Sequence, residues 1–561
     1  MGPSFAIHSQ EFKKAGRLQV ADNYDQYSKE ELLRLLRERD RKPKFGLVWE
    51  RDEIEHDTSL NSDFVALDLD PGLSCGDAPY ENLIIEGDNF DALRYLRMTH
   101  AGQVKCIYID PPYNTGNRDF IYNDRFVDRD DSYRHSKWLE FMYRRLVLAK
   151  DLLADDGVIF VSIDDNEMLH LGMLMDQVFG ETNRVATCVW QKRYSRENRG
   201  AIGDAHEYLL VYAANPDDFK VRRNKITPTE KQAAIYKNPN NDPNGPWRVI
   251  PMTAQGFRPN QMYEIVTPAG VVQRPPEGRC WSTVEPEFKK LLAAGRIWFG
   301  KEGKSQPGVI RYFSEVEGVT PWTWWPHEEV GHTDEAKKEI QSMLGTQTAF
   351  DTPKPVRLIE RVLQIATKPD DLVLDFFAGS GTTAHAVMKL NAEDGGKRRF
   401  ILVSSTEATD EAPDKNLCRD VCAERVRRVA QGYTSKKGEA VEALGGSFAY
   451  LRTKRIPVSR VFNDVQHEQV WRALQLIHRF PLSGYEKAAP VQLAGNADDR
   501  LMYVPKLSEA VLEEVARLAS LGGRLVVYTW QPGQVRQRIS GSNVAFERIP
   551  EFLVSRFGGG K

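Results

Sequence analysis

Cysteine is scarce in this chain, with six residues among 561. Cys75, Cys106, Cys188 and Cys280 are scattered. Only Cys418 and Cys422 stand close, at helical spacing and with no second Cys/His pair nearby. No zinc site is expected, no residue is assigned as a metal ligand, and reduced thiols in a cytoplasm are the expectation. Long apolar runs are also missing: none approaches the roughly 20 residues that cross a bilayer. The first residues lack the basic-then-apolar pattern of a secretory signal, so no membrane partner is expected. An excess of one charge is absent, since 76 Lys and Arg face 79 Asp and Glu for a net −3. Any nucleic-acid contact must then come from local patches. Lys192-Arg193-Tyr194-Ser195-Arg196 and Arg222-Arg223-Asn224-Lys225 are such patches, and a solvated face is the plainer reading of each. Internal repeats are absent. Gly303-Lys304-Ser305 ends like a phosphate loop, but the glycine required five residues earlier is Trp298, so no phosphate loop is assigned.

Hydrophobic residues make up 41% and charged residues 28%, the balance of a globular protein. The length exceeds what one core supports and implies about three or four domains. Residues 1–80 read as a polar N-terminal extension, with a capped amphipathic helix beginning at Ser28-Lys29-Glu30-Glu31. From residue 81 short apolar runs alternate with amphipathic ones. Asn82 to Asp88 reads as a short strand ending in acid, Asn89 to Arg97 as a helix, and Val104-Lys105-Cys106-Ile107-Tyr108-Ile109 as a buried strand, a β-α-β unit. A helix carrying Trp138, Phe141, Met142 and Leu146 on one face follows. Strands are then expected at 157–163 and 208–212. This alternation, with acids at strand ends, predicts a doubly wound, mostly parallel α/β sheet. Such sheets bind ligands at the carboxyl ends of their strands, where Asp88, Asp110 and Asp164 fall.

Between about 221 and 345 the alternation fades. Six of the eleven tryptophans lie here (Trp247, Trp281, Trp298, Trp322, Trp324 and Trp325), which reads as an inserted domain of strands and loops. The α/β pattern resumes over 346–450 with a helix over 356–366 and strands at 371–377 and 399–403. A further C-terminal domain is expected over 451–561, with one helix from Ser508 to Leu521 and one strong strand from Arg524 to Trp530.

Two local motifs carry chemistry. Asp110-Pro111-Pro112-Tyr113 closes the strand that begins at Val104. The prolines fix φ at their own positions and push Asp110 and Pro111 towards extended conformations. A carboxylate and a fixed carbonyl of this kind suit the two N–H groups of a nucleobase amino group, whose nitrogen is a poor nucleophile while its lone pair is delocalised into the ring. An acidic turn capping a strand fits the same four residues. The second motif, Asp375-Phe376-Phe377-Ala378-Gly379-Ser380-Gly381-Thr382, turns from strand to helix through two glycines, where a cofactor can approach backbone that a Cβ would block. Glu407, beyond the next strand, suits ribose hydroxyls. A third glycine is missing, which favours a phosphate-free cofactor such as S-adenosyl-L-methionine over a dinucleotide.

Together and in this order the motifs resemble the β-class DNA amino-methyltransferases, in which Asp-Pro-Pro-Tyr precedes Phe-x-Gly-x-Gly and a target-recognition domain lies between. Over residues 30–435 the chain resembles more closely the Mod subunits of type III restriction-modification systems. That resemblance is carried by Tyr113-Asn114-Thr115-Gly116, Val161-Ser162-Ile163-Asp164-Asp165-Asn166-Glu167, His206-Glu207-Tyr208, Gly295-Arg296-Ile297-Trp298-Phe299, Val330-Gly331-His332-Thr333-Asp334-Glu335-Ala336 and the run 379–387. It extends to Gly46-Leu47-Val48-Trp49-Glu50.

The resemblance implies N6-methylation of adenine in double-stranded DNA by base flipping. Asp110, Pro111, Pro112 and Tyr113 would be the catalytic set. S-adenosyl-L-methionine would lie against Asp375, Phe377, Gly379, Ser380, Gly381 and Thr382, with Glu407 near the ribose. Lys354 would shape the methionine end and Asp88 would read the adenine ring. For Asp88 a helix N-cap is an equal reading, and Ser380 and Thr382 also fit as caps of the following helix. The implied halves of the catalytic core are 81–220 and 346–450, with target recognition over 221–345. A homodimer and a restriction (Res) helicase-nuclease partner are implied as well. A partnerless methyltransferase, N4-cytosine methylation and a catalytically silent DNA-binding assembly protein remain as alternatives.

Overall fold

The computed structural model describes residues 28–29, 47–50, 61–116, 120–122, 125–195, 201–345, 350, 352–409, 412–539 and 541–558. Residues 1–50 and 51–561 form two separate units, and the fold below is that of the second. The helix expected from Ser28 lies almost wholly outside the described residues, as does Arg196 of the first basic run.

Ten strands build one sheet. They are β1 (Phe64–Leu69), β2 (Leu83–Glu86), β3 (Val104–Ile109), β4 (Leu153–Ile163), β5 (Arg184–Gln191), β6 (His206–Ala213), β7 (Trp324–Trp325), β8 (Leu372–Asp375), β9 (Arg399–Ser404) and β10 (Ala449–Ile456). Their spatial order is β1-β10-β2-β9-β8-β3-β4-β6-β5-β7. The central run from β10 to β4 is parallel throughout. β3 is buried at all six positions, as expected of a strand covered on both faces. Its one charged residue, Lys105, reaches Asp156 at 2.7 Å.

Helices α1 (Asn89–His100), α2 (Arg134–Leu152), α3 (Met168–Phe179), α4 (Val356–Ala366) and α5 (Thr382–Asp394) connect and cover the strands. α4 buries Leu358, Ile359, Val362, Leu363 and Ala366, the i, i+1, i+4, i+5, i+8 spacing of one helical face. The expected mostly parallel sheet is present, with two differences. β6, containing the run 208–212, is antiparallel to β4. β1 pairs with β10 along the sheet edge, Phe64 opposite Ile456. The sheet therefore extends past the expected boundaries at residues 80 and 450.

The inserted segment forms short strand pairs around its own small core of Met252, Ile265, Trp281, Phe288, Ile297 and Phe299. Trp325 at its end returns to the main sheet beside β5. The C-terminal segment is richer than one helix and one strand: Gln492–Gly495, Asp499–Val504, Arg524–Thr529 and Val544–Arg548 form a four-stranded sheet, against which Glu509–Ser520 is helical.

Candidate active site

Four adjacent parallel strands, β2, β9, β8 and β3, end on the same edge of the sheet. They carry, in that order, Asp88, Glu407, the Asp375 turn and Asp110. Leu374 is paired with Ile107, so the two sequence motifs emerge side by side.

Asp110 is engaged on both oxygens. The Tyr113 hydroxyl lies 2.9 Å from Oδ1, and the Lys354 ammonium donates to Oδ2 at 2.6 Å. A second carboxylate completes the group: Glu207, at the start of β6, has Oε2 2.9 Å from the Tyr113 hydroxyl and 3.6 Å from Lys354 Nζ. Lys354 is 7% exposed and Glu207 8%. Burial raises the Asp110 pKa, Lys354 pulls it down, and Glu207 adds to the rise, so it stands above the usual carboxylate value. Burial opposes the charge on Lys354, but Asp110 and Glu207 together hold its pKa above that of a free lysine. The Tyr113 and Trp190 rings flank the ammonium at 5.0 and 6.0 Å.

The turn itself is pinned from below. Trp138, buried on α2, donates its indole N–H to the Pro112 carbonyl at 2.7 Å. Asn114 follows Tyr113 in a left-handed conformation at φ 56°. Its amide donates to the fully buried Glu167 at 2.5 Å, which also lies 2.6 Å from His135 Nδ1 and 2.7 Å from His170 Nδ1. Asp164 accepts from the Asn166 backbone at 3.0 Å, the work of a strand-end turn.

In the second motif Asp375 is buried and locks the turn, accepting from the Phe377 N–H at 3.0 Å and the Thr383 hydroxyl at 2.6 Å. Burial pushes its pKa up to about 7. Gly381 has φ 76°, and a Cβ there would stand 3.0 Å from the Cys422 carbonyl. Gly379 has φ 50°, and a Cβ would meet the Phe350 ring at 3.0 Å. Ser380 and Thr382 do not cap α5 through their side chains. Both accept from the fully buried Arg425, at 3.2 and 2.8 Å, and Arg425 also pairs with Glu339 at 3.2 Å. Of residues 375–381 only Phe377 and Gly379 are half-exposed, so they form the surface the turn presents. Asp88 caps α1, accepting from the Phe90 N–H at 2.8 Å, and pairs with Arg145 at 3.2 Å. Glu407 sits at φ 52°, with Lys415 2.8 Å from its carboxylate.

Sequence reading missed Glu207, Arg425 and the Glu167 cluster. Glu207 was visible inside His206-Glu207-Tyr208, but nothing local says that the antiparallel β6 starts beside Asp110. Lys192, read as part of a basic patch, is instead buried between Asp204 at 2.8 Å and Glu207 at 3.5 Å. Arg222 and Lys225 of the second patch pair with Asp156 at 3.3 Å and Glu317 at 2.7 Å.

The arrangement can hold N–H groups on a buried carboxylate beside a glycine turn. The row of acids favours a cationic, phosphate-free ligand over a nucleotide phosphate. A family model described as DNA methylase matches residues 104–408. The type III restriction-modification enzyme StyLTI Mod subunit of Salmonella typhimurium is 38% identical over 62% of this chain and 57% of its own length. The EcoPI Mod subunit of Escherichia phage P1 is 35% identical over 58% of each. The type II methyltransferase M.KpnI of Klebsiella pneumoniae is 35% identical over 57% of this chain and 79% of its own length. The chain thus spans somewhat over half the length of the two Mod subunits.

Proposed function

The chain belongs to the DNA methylase family, and from that premise we propose that it methylates the N6 amino group of adenine in duplex DNA, using S-adenosyl-L-methionine, as the modification subunit of a type III restriction-modification system. The observation that carries this reading is the side-by-side placement of the Asp110 turn and the Asp375–Gly381 turn on paired strands.

Bound S-adenosyl-L-methionine would supply an electrophilic methyl group on a sulfonium. Phe377 and Gly379 offer it an uncharged surface, and Asp88 and Glu407 stand along the same edge for its adenosine. Asp375, Ser380, Gly381 and Thr382 hold the turn's shape, and Lys354, bonded to Asp110, would shape the methionine end of the cofactor. Asp110 and the Pro111 carbonyl accept the two hydrogens of the target amino group. This draws the nitrogen lone pair out of conjugation, while Pro111 and Pro112 keep the acceptors in place without an ordering cost. Tyr113 offers its ring to the base. That base must leave the duplex stack, because its amino group cannot meet a methyl donor inside it. The choice of adenine over cytosine rests on the resemblance, since in that family an aspartate at the first motif position goes more often with adenine. Residues 221–345 would select the sequence through phosphate and base-edge contacts, acting as a homodimer in the cytoplasm with a Res helicase-nuclease as partner.

Modified-base sequencing of DNA from a methylation-free host expressing this chain tests the reading. N6-methyladenine at one short sequence is expected, and its loss with cofactor binding retained in Asp110→Ala. Unchanged methylation in that variant would sink the mechanism. The M.KpnI match, which spans 79% of that protein, favours a second reading, methylation without a Res partner. A neighbouring helicase-nuclease gene separates the two.

A further inference from the structure

We propose that Glu207 is a positioning residue: it takes over Lys354 and the Tyr113 hydroxyl when the target amino group claims Asp110. This rests on the function proposed above. Two donors and two acceptors form a closed square. Lys354 lies 2.6 Å from Asp110 and 3.6 Å from Glu207. The Tyr113 oxygen lies 2.9 Å from each carboxylate. A phenol carries one hydrogen, so Tyr113 serves one of its two equidistant partners at a time and changes partner by rotating that hydrogen.

The same square sets what an incoming N–H meets at Asp110. Each oxygen already accepts from one donor, so the new hydrogen must share an oxygen with Tyr113 or Lys354 or displace one of them. A buried ammonium displaced from Asp110 needs another acceptor close by. Glu207 is that acceptor, one short swing away, and the Tyr113 and Trp190 rings flank the path. Glu207 is itself held ready. Its backbone pairs with Trp190 in the β5–β6 ladder, and Lys192 lies 3.5 Å from its other oxygen. The exchange keeps Lys354 beside a carboxylate in both states, and Asp110 trades the ammonium for the target N–H, so the base can be accepted without stranding Lys354.

The test compares the full-length wild type with Glu207→Gln and Glu207→Asp on a duplex carrying the methylated sequence. Three quantities are read: the single-turnover methylation rate, calorimetric Kd values for S-adenosyl-L-methionine and DNA, and the fluorescence of 2-aminopurine placed directly beside the target adenine, which keeps its own N6 amino group. Glutamine keeps the shape and can accept from Tyr113, but it cannot balance an ammonium. The expected result for Glu207→Gln is a rate lower by roughly 10- to 100-fold, the range in which contacting residues couple. The fluorescence rise should weaken while both Kd values stay within about two-fold, a margin well below one tenfold step of binding energy. Glu207→Asp should recover part of the rate. A wild-type rate and signal in Glu207→Gln overturns the proposal. So does a loss shared by cofactor affinity and not repaired in Glu207→Asp, because that marks a structural residue. A wild type that methylates no DNA overturns the underlying function, and the exchange falls with it. A working wild type with an indifferent Glu207→Gln overturns the exchange alone.

Discussion

Lys354 and Asp110 stand 244 positions apart in the chain, yet the lysine Nζ lies 2.6 Å from the aspartate Oδ2. The contact joins the Pro-Lys-Pro segment leading into α4 to the Asp-Pro-Pro-Tyr turn after β3. It makes the charge of each of these two buried groups depend on the other.

Replacing Lys354 with methionine removes the buried cation and leaves Asp110 and Glu207 facing each other across Tyr113. Breaking one side of a buried pair costs roughly 3–5 kcal/mol, and urea unfolding at pH 8 should show a loss of that order. The loss should shrink towards pH 5. Asp110 already has a raised folded pKa, and without Lys354 it rises further. A raised folded pKa gives stability that is present below the unfolded value and lost as pH climbs through the folded one. An equal deficit at both pH values would contradict this account.

Arg425 ties Ser380, Thr382 and Glu339 together while fully buried. Arg425→Ala should lower stability by roughly 1.5–3 kcal/mol, because the buried Ser380 and Thr382 hydroxyls lose a charged donor, while Glu339, a third exposed, is left to solvent. Arg425→Lys should not restore it, since an ammonium lacks the planar fork that spans both hydroxyls and the carboxylate. Cofactor affinity should weaken in both variants, measured by calorimetry. Wild-type affinity in Arg425→Ala would detach this arginine from the shape of the turn.

Asp375 has its pKa pushed up to about 7 by burial, against about 4 for an unfolded aspartate. Between those values the folded state holds a proton that the unfolded state has released. This group therefore subtracts stability as pH rises through the window, at up to about 1.4 kcal/mol per pH unit, and levels off above 7. Asp375→Asn should flatten that part of the stability–pH curve. A slope unchanged by the substitution would place the titration elsewhere.

Gly381→Ala combines a left-handed φ of 76° with a Cβ 3.0 Å from a backbone carbonyl. The conformation alone costs roughly 1–2 kcal/mol. A stability loss beyond about 2 kcal/mol is expected by denaturant titration, with weakened cofactor binding. A neutral outcome would mean that the turn relaxes without effect on its neighbours.

Much of the fold was legible because it is written locally. The apolar spacing from Leu358 to Ala366 marks a helix whose observed bounds match, Val356–Ala366. The unbroken apolar character around Lys105 marks a buried strand. The acids at strand ends pointed to the edge where Asp88, Asp110 and Asp164 close parallel strands. The β1–β10 pairing was not legible, since its partners lie almost 400 residues apart in the register Phe64 opposite Ile456. Nor was the C-terminal sheet, whose strands at 492–495 and 544–548 are four and five residues long.

By itself the sequence determined the two chemical motifs, their order, the Trp-rich insert between them and the helix–strand alternation that builds a parallel sheet. These follow from side-chain spacing and from the backbone limits of proline and glycine, which act over a few residues. Tertiary structure alone decided that Glu207 and Lys354 complete the square around Asp110 and Tyr113, and that Arg425 holds the glycine turn from beneath. Those contacts depend on strand order and on the antiparallel entry of β6, because a buried charge finds its partner across the sheet and not along the chain.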